Sequence, residues 1–417
     1  MRVSPPELVA SPNAPGRVRL QAAVHYRNHL ARPEHVWFEV DEQLKDQLSL
    51  SGNPWLVALL PLALTLKEDL EIAAPVDPLL LENAQKLQSL WTSWYPRLSP
   101  VTIRAERLPA AAASDQMTGL FFSGGVDSFY SVLHAGSTSA YTIDELVFIQ
   151  GADILLSNAR AFERASATIR HAGQVMGIPV QIMATNLRST RFRQLHWDQM
   201  GSGPLLGACG LALEARYRQL LISSTWAAAD LHPLGSHPQA DPLYSTATTS
   251  FIHYGDWADR IEKTEFVSRY PVALDHLRVC WESPSGDNCG QCLKCLRTMI
   301  VLEVIGKLES CPSFPSRQLD LAVIRRLYLG WEWRYFKNLI PYLRGKGRDD
   351  IADAIQAAFR RTARLNQWMF FGLVWRARMT FQDVPWARSW LAPVFMRLRR
   401  AATWINRRLP PWGNQPR

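Results

Sequence analysis

The sequence contains no long hydrophobic run, and this absence narrows the class of protein. Across 417 residues no apolar run approaches the roughly 20 residues that a transmembrane helix needs. Residues 1–15 also lack the basic and apolar segments of a signal peptide. Hydrophobic residues make up 47% of the chain and charged residues 20%, whereas disordered chains carry fewer hydrophobic residues and more net charge. We therefore expect a folded, cytoplasmic protein of two or three domains.

Cysteine is scarce, with six in the chain, and four of the six lie close together. Their spacing is C-x8-C-x2-C-x2-C, formed by Cys280, Cys289, Cys292 and Cys295. In a reducing compartment such a cluster indicates a metal site rather than disulfides. Four thiolates close a tetrahedron around Zn²⁺ and leave no open position, so we predict a structural zinc. An iron–sulfur cluster is the alternative, because four cysteines also hold such clusters.

Positive charge is concentrated at the end of the chain. From Asp320 onward, 19 Lys and Arg residues face 6 Asp and Glu, an excess larger than the net +9 of the whole protein. Half of the 16 tryptophans lie there too, interleaved with arginines from Trp368 to Arg408. We favour a helical appendage that packs its tryptophans on the protein body. A peripheral membrane or protein contact ranks second, and nucleic acid ranks last. The sequence leaves the oligomeric state open, a homo-oligomer included.

The patterning predicts three regions: an N-terminal α+β module over 1–115, an α/β domain over 116–310, and a basic, tryptophan-rich helical region over 311–417. The module carries strands at Val36–Val40 and Val101–Ile103, helical patterns at Trp55–Leu66 and Leu79–Trp94, and a linker at Leu108–Asp115. The middle region alternates strands at Leu120–Phe122, Leu146–Ile149, Val180–Met183 and Leu220–Ser223 with helices from Ser128, at Ala159–Met176 and at Gly203–Tyr217. Such alternation predicts a doubly wound parallel sheet that binds ligands beyond its carboxyl ends.

The sharpest motif follows the first strand of the middle region. It reads Ser123, Gly124, Gly125, Val126, Asp127, Ser128. Glycines let the backbone approach an anion closely, and the helix that follows offers its N-terminal N–H groups. The two serines add hydroxyl donors, and Asp127 fits a phosphate cradle only with a bridging cation, which predicts Mg²⁺. A Walker loop is excluded because the Gly-Lys-Ser/Thr ending is missing. The plain alternative is a capped serine–glycine turn.

This motif resembles the PP-loop of the ATP pyrophosphatase superfamily, whose pattern is Ser-Gly-Gly-x-Asp-Ser. The resemblance implies an adenine nucleotide alpha hydrolase-like fold that binds ATP through residues 123–128 and releases AMP and pyrophosphate. In that superfamily the adenine usually lies at the end of the second strand, which here points to Gly151, with an ordinary strand-ending turn as an equal alternative. Lys263 falls where relatives place a lysine, so the resemblance implies catalytic roles for Asp127, Ser128 and Lys263. For Lys263 alone, a solvated helix lysine is an equal alternative.

The loop and the cysteines together resemble 7-cyano-7-deazaguanine synthase and its homologues, over Gly119–Leu308, less than half of the chain. That family adenylates a carboxylate and then uses ammonia to form an amide and a nitrile, with a structural zinc. We therefore expect a ligase-type enzyme with ATP, Mg²⁺ and Zn²⁺ as cofactors. It would adenylate a carboxylate or carbonyl oxygen of a small molecule, and ammonia or an amine would then attack.

The substrate does not carry over from the resemblance, because the segment Trp226–Thr246 departs from the family's pattern. Its position beyond a strand end suits substrate contact, and its candidate residues are Trp226, Asp230, His232, His237 and Asp241. Each histidine has the alternative of an ordinary polar loop residue. Two other functions stay open: sulfur transfer to tRNA, which needs a redox cysteine near the nucleotide, and an ATP-sensing module docked on a membrane or partner.

Overall fold

The computed structural model describes residues 1–27, 32–108, 116–138, 140–330 and 333–367. These residues form two compact units. One comprises Met1–Lys263 with His276–Asp287, and the other comprises Thr264–Asp275 with the chain from Asn288 onward. The tryptophan- and arginine-rich segment Trp368–Arg408 lies outside the described residues, as does most of the predicted linker. The predicted domain boundaries stay a prediction.

The first unit is an α/β structure built on a large, mostly parallel sheet, as the sequence predicts for its middle region. The 11 strands described are β1 (Arg2–Val3), β2 (Glu7–Ala10), β3 (Arg17–His25), β4 (Glu34–Asp41), β5 (Leu70–Ile72), β6 (Ile103–Arg104), β7 (Met117–Phe121), β8 (Glu145–Gln150), β9 (Val180–Thr185), β10 (Tyr217–Ser223) and β11 (Ser250–Tyr254). Their order across the sheet is β11-β10-β7-β8-β9-β4-β3-β1-β5-β6, and β2 pairs with β3. Every strand predicted in the middle region is confirmed to within a few residues.

Helices separate many of these strands along the chain, and two more follow β11. Up to His276 they are α1 (Asn53–Leu66), α2 (Pro78–Trp94), α3 (Val126–Thr138), α4 (Ala159–Met176), α5 (Ser202–Ala212), α6 (Arg260–Val267) and α7 (Pro271–His276). The prediction of one helix from Gly203 to Tyr217 is wrong at its end. The helix stops at Ala212, and the fully buried Tyr217 opens β10 by pairing with Met117 of β7.

The N-terminal strands extend the same sheet rather than forming another one. Antiparallel pairing of β4 with β9 sets Phe38 opposite Thr185, and the Thr185 hydroxyl donates to the Trp37 carbonyl at 2.8 Å. Beneath this junction the ring centroids of Phe38 and Trp55 lie 5.3 Å apart in the core. The N-terminal residues therefore share one hydrophobic core with the strands that follow them.

The direction of chain progression across the sheet reverses beside β7. The chain steps from β7 to β8 and β9 in one direction, then returns to place β10 and β11 on the other side of β7. Because such crossovers are right-handed, opposite directions place the connecting helices on opposite faces. On one face Phe148 stacks on Phe162 of α4 at 5.1 Å; on the other, Gly210 of α5 packs on Leu220. The carboxyl ends of β7 and β10 thus lie side by side, where open α/β sheets bind ligands.

The second unit is helical in its described part. Its helices beyond Asn288 are α8 (Leu293–Val304), α9 (Leu321–Arg325), α10 (Trp333–Gly345) and α11 (Asp349–Gln367). Buried Arg297 of α8 lies 4.0 Å from the ring centroid of Tyr335, and the Leu329 N–H donates to the Thr362 hydroxyl at 3.0 Å. None of the helices in the described part of the chain combines the length and apolar character that crossing a membrane requires.

Asp77 caps α2 and offers a test of how this helix is held. Its Oδ1 accepts from the N–H groups of Leu79 and Leu80, at 2.8 and 3.2 Å. Asp77→Ala should lower the free energy of unfolding by about 1–2 kcal/mol, because two helix donors lose their acceptor. Urea denaturation measures the change. Asp77→Asn, which keeps an accepting oxygen, should retain most of the stability, and an equal loss in both variants would contradict the cap.

Candidate functional site

The glycine motif forms a tight turn between β7 and α3. Gly124 has a φ of 75°, a conformation that favours glycine, and its carbonyl accepts from the Arg278 N–H at 2.7 Å. A Cβ at Gly124 would lie 3.4 Å from the Arg278 Cβ. The Gly125 carbonyl then accepts from the Phe129 N–H and from the Ser128 hydroxyl, both at 3.0 Å. The turn therefore delivers the start of α3 to the carboxyl end of β7, the point of reversal.

Asp127, in the first turn of α3, faces two cations. Its Oδ2 accepts from the Arg260 guanidinium at 2.6 Å, and its Oδ1 lies 3.9 Å from the Lys263 ammonium. Oδ1 is buried and has no hydrogen-bond partner within the described ranges. A buried carboxylate oxygen without a partner is costly. This oxygen is therefore suited to ligate a cation.

Lys263 of α6 also reaches Asp127. Its side chain is 1% exposed, and its ammonium donates to the Ser224 carbonyl at 2.7 Å, just beyond β10. The ammonium also lies 5.6 Å from the ring centroid of Tyr130. Burial lowers the pKa of Lys263 to about 8, although the charge of Asp127 opposes that shift. The structure thus brings together Asp127, Ser128 and Lys263, the three residues for which the resemblance implies catalytic roles.

Sequence reasoning missed two arginines at this site. Arg260 pairs with Asp127, and Arg278 donates through Nε to the Ser123 carbonyl at 3.3 Å. Burial lowers the pKa of Arg278, which means that its charge is poorly solvated, while Asp153 opposes the shift. The one signal in the sequence was proximity, since Arg260 lies three residues before Lys263 and Arg278 two before Cys280. An arginine two or three residues before a lysine or a cysteine matches no known sequence motif.

Gly151 is predicted to let adenine approach, but the packing of the neighbouring strand by itself explains why this residue is glycine. It follows β8 with a φ of 92°, and a Cβ there would lie 2.0 Å from the Thr185 carbonyl oxygen of β9. Its N–H donates to the Ile154 carbonyl at 2.8 Å. The close approach of the neighbouring backbone therefore requires glycine at this position without any ligand.

Of the predicted substrate residues, three lie together beyond β10. The rings of Trp226 and His232 are in edge contact with centroids 4.9 Å apart, and the His232 Nδ1 lies 3.0 Å from the Asp230 carbonyl oxygen. All three side chains are partly exposed. This cluster has the exposure that contact with a substrate requires.

The other two predicted substrate residues are buried in the packing of the loop. Asp241 is 0% exposed and accepts from the Ser236 hydroxyl at 2.7 Å and from the His237 N–H at 3.2 Å. Its Oδ2 also lies 2.7 Å from the Nδ1 of His253 on β11, a partner that the sequence analysis missed. Trp94 of α2 packs edge-on against His237 at 4.8 Å. These contacts give Asp241 and His237 a role in holding the loop together.

The four clustered cysteines form a site that can hold a metal ion. Their sulfur atoms all lie within 4.8 Å of one another, and the Sγ atoms of Cys289 and Cys295 are 3.9 Å apart. The Cys292 N–H points to the Cys289 Sγ at 3.2 Å, a contact that favours a thiolate. Gly290, with a φ of 67°, makes the turn between them. The predicted metal-binding cluster is therefore confirmed at the level of its ligands.

Comparisons with known proteins add little to this geometry. No protein-family model matches the chain, and no curated protein is similar to it. Among solved structures, one chain with some likeness is described as "Structure of a Type III CRISPR defence DNA nuclease activated by cyclic oligoadenylate". The two share 14% identity, and the match covers 60% of this chain and 41% of that chain, with a TM-score of 0.18. A likeness this weak carries no argument about fold or function.

Replacing Gly151 tests whether backbone packing dictates the end of β8. Gly151→Ala should destabilise the protein by more than about 2 kcal/mol, because both the positive φ and the Thr185 oxygen oppose a Cβ. Thermal or urea unfolding measures this. Gly16→Ala is the matched control, since Gly16 has a φ of 78° but no atom within 4 Å of an added Cβ. If the two variants lose similar free energies of unfolding, the contact with the Thr185 oxygen does not explain the loss in Gly151→Ala.

Proposed function

We propose that the chain is an ATP pyrophosphatase of the PP-loop type, with a doubly wound, adenine nucleotide alpha hydrolase-like domain. It converts ATP to AMP and pyrophosphate while adenylating a carboxylate or carbonyl oxygen of a small molecule. Ammonia or an amine then displaces AMP, as in 7-cyano-7-deazaguanine synthase-like proteins. The observation that carries the proposal is the position of residues 123–128 at the reversal beside β7, with Lys263 and two arginines around them.

The residues around the loop suit a polyphosphate. The start of α3 lies at the carboxyl end of β7, and the N–H groups at a helix N-terminus attract anions such as phosphate. Lys263, Arg260 and Arg278 all reach the turn, and the burial that lowers the pKa of Lys263 and of Arg278 means that a bound anion would stabilise their charges. The charges of Asp256 and Asp259 also raise the pKa of Lys263. The Asp259 carboxylate, however, already accepts from the Ile261 and Glu262 N–H groups, both at 2.8 Å.

The catalytic roles follow from these positions. Asp127 would hold Mg²⁺ through the buried Oδ1 that has no hydrogen bond among the described residues, and this ion would neutralise phosphate charge. The loop N–H groups would orient the leaving pyrophosphate, and the Ser128 hydroxyl would join them by giving up its hydrogen bond to the Gly125 carbonyl. Lys263, anchored on the Ser224 carbonyl, would stabilise negative charge that develops during adenyl transfer. The partly exposed Trp226, Asp230 and His232 are the residues best placed to meet the second substrate.

Sulfur transfer to tRNA is less well supported. That chemistry needs a reactive thiolate beside the nucleotide. Cys209 and Cys311 are the cysteines outside the cluster; both are 0% exposed, and burial raises the pKa of each thiol. Neither thiol has the low pKa and the exposure that a sulfur carrier requires. Adenylation without a cysteine intermediate therefore fits the chain better.

For the cysteine cluster we propose a structural Zn²⁺. Tetrahedral zinc with bonds of about 2.3 Å sets its sulfurs about 3.8 Å apart, close to the 3.9 Å between Cys289 and Cys295. An iron–sulfur cluster is wider than a single ion and would spread its thiolates further. Four thiolates leave no open position, so the ion would have a structural role.

Elemental analysis of the purified chain tests the metal. We expect one zinc per chain, no iron and no visible absorbance, and we expect Cys292→Ser to lose the zinc and most of its folding stability. Cys209→Ala, which removes a buried thiol outside the cluster, should keep the zinc. Stoichiometric iron with absorbance near 400 nm would contradict the assignment.

Product analysis tests the reaction. The protein would be incubated with Mg-ATP, an ammonium salt and a small-molecule cell extract, and nucleotides would be separated by chromatography. We expect AMP and pyrophosphate, with at least a hundredfold loss in Asp127→Asn, the scale at which loss of charge stabilisation acts in such sites. Asp46→Asn, an exposed position, is the matched control. ADP and phosphate as products would refute the proposal.

A further inference from the structure

Arg260 occupies the carboxylate that the proposed function assigns to a metal ion. Its Nη2 lies 2.6 Å from the Asp127 Oδ2, closer than the Lys263 ammonium lies to the Asp127 Oδ1, at 3.9 Å. A guanidinium and Mg²⁺ repel each other, and Mg²⁺ needs carboxylate oxygens at about 2.0–2.1 Å in octahedral geometry. A Mg²⁺ on Oδ1 would lie across one carboxylate from the guanidinium on Oδ2, so the two cations would share one negative charge and repel each other.

The ion pair between Arg260 and Asp127 uses one carboxylate oxygen, whereas a permanent structural pair favours both. Arginine usually grips a carboxylate with two parallel hydrogen bonds. Here Oδ2 accepts from Arg260, while Oδ1 is buried and accepts no hydrogen bond from any described residue. The carboxylate is thus half satisfied, which lowers the cost of exchanging Arg260 for a better ligand.

Arg260 lies at the start of a helix and at the edge of the loop. It is the first residue of α6, and the start of that helix is held by Asp259, whose carboxylate accepts from the N–H groups of Ile261 and Glu262. The Arg260 side chain is 13% exposed, so it borders solvent at the edge of the loop. Asp127 belongs to the loop itself, so phosphates bound there would lie within reach of a guanidinium that leaves its carboxylate.

We propose that Arg260 is a phosphate ligand that rests on Asp127 while the loop is empty. Phosphate draws the guanidinium away, and only then does Asp127 bind a divalent cation. The inference rests on the proposed function, since it takes residues 123–128 to be a phosphate site. It adds that metal binding depends on phosphate, and that Arg260 sets this order.

The test measures binding rather than turnover, with the full chain. Electron paramagnetic resonance titration would follow Mn²⁺ binding without nucleotide. Arg260→Gln should bind Mn²⁺ at least about tenfold more tightly than the wild type, the scale of one charge-assisted hydrogen bond. The double variant Asp127→Asn with Arg260→Gln should lose that gain, which assigns it to this carboxylate. Arg218→Gln, an exposed position on β10, is the control for loss of one positive charge.

Calorimetry with inorganic pyrophosphate supplies the second readout. Arg260→Gln should weaken pyrophosphate binding about tenfold, whereas Arg260→Lys, which keeps the charge, should lose less. Unfolding curves matching the wild type would show that the variants fold. Unchanged Mn²⁺ affinity or unchanged pyrophosphate affinity in Arg260→Gln would overturn this inference alone, with ATP turnover intact. A wild-type protein that binds no pyrophosphate would overturn both this inference and the proposed function.

Discussion

Burial of the parallel strands on both faces is the constraint on which the candidate site depends. Residues 145–149 of β8 and 181–185 of β9 are buried throughout, because helices cover both sides of this part of the sheet. Side chains within these strands are committed to the core. A ligand site in this part of the sheet can therefore form only at the strand ends. At the reversal beside β7 the connections run to opposite faces of the sheet and leave space for one.

At that end the Asp127 carboxylate lies closest to the surrounding positive charges. Asp127 faces Arg260 and Lys263 from α6, and the backbone of the turn meets Arg278. The low exposure of Lys263 makes its charge costly unless it faces an anion, whether Asp127 or a phosphate. The same carboxylate thus stabilises the Lys263 charge, and under the proposed function it would also ligate a metal ion.

The loop after β10 illustrates how neighbouring polar residues acquire different roles. Trp226 and His232 pack against each other and stay partly exposed, while Asp241, nine residues after His232, is buried among Ser236, His237 and His253. The two aspartates and two histidines among the candidates in this loop cannot be told apart from the sequence alone. Burial separates those that hold the loop from those that can meet a ligand, because a carboxylate that is 0% exposed and already accepts from three groups in the loop and β11 is out of reach of a substrate.

The sequence alone determined the features that depend on neighbouring residues. The alternation of apolar strands with helical segments predicted the α/β class, the glycine motif marked the turn at Gly124, and the cysteine spacing predicted a metal site. Each depends on residues adjacent in the chain or on periodicity, and local sterics and spacing fix such features. The N-terminal strand β3 was missed although its burial alternates along Arg17–His25, because its pattern mixes arginine and alanine with the apolar residues.

Tertiary structure alone decided which distant residues meet. The pairing of β4 with β9 joins the N-terminal strands to the same sheet, and nothing local in Phe38 or Thr185 announces it. Likewise Arg260 reaches Asp127 across 133 positions of sequence, and Arg278 reaches the turn at Gly124 from still further along the chain. Ion pairs and backbone contacts of this range depend on how strands are ordered and helices packed. The sequence therefore determined the chemistry of the loop, and the fold determined which cations surround it.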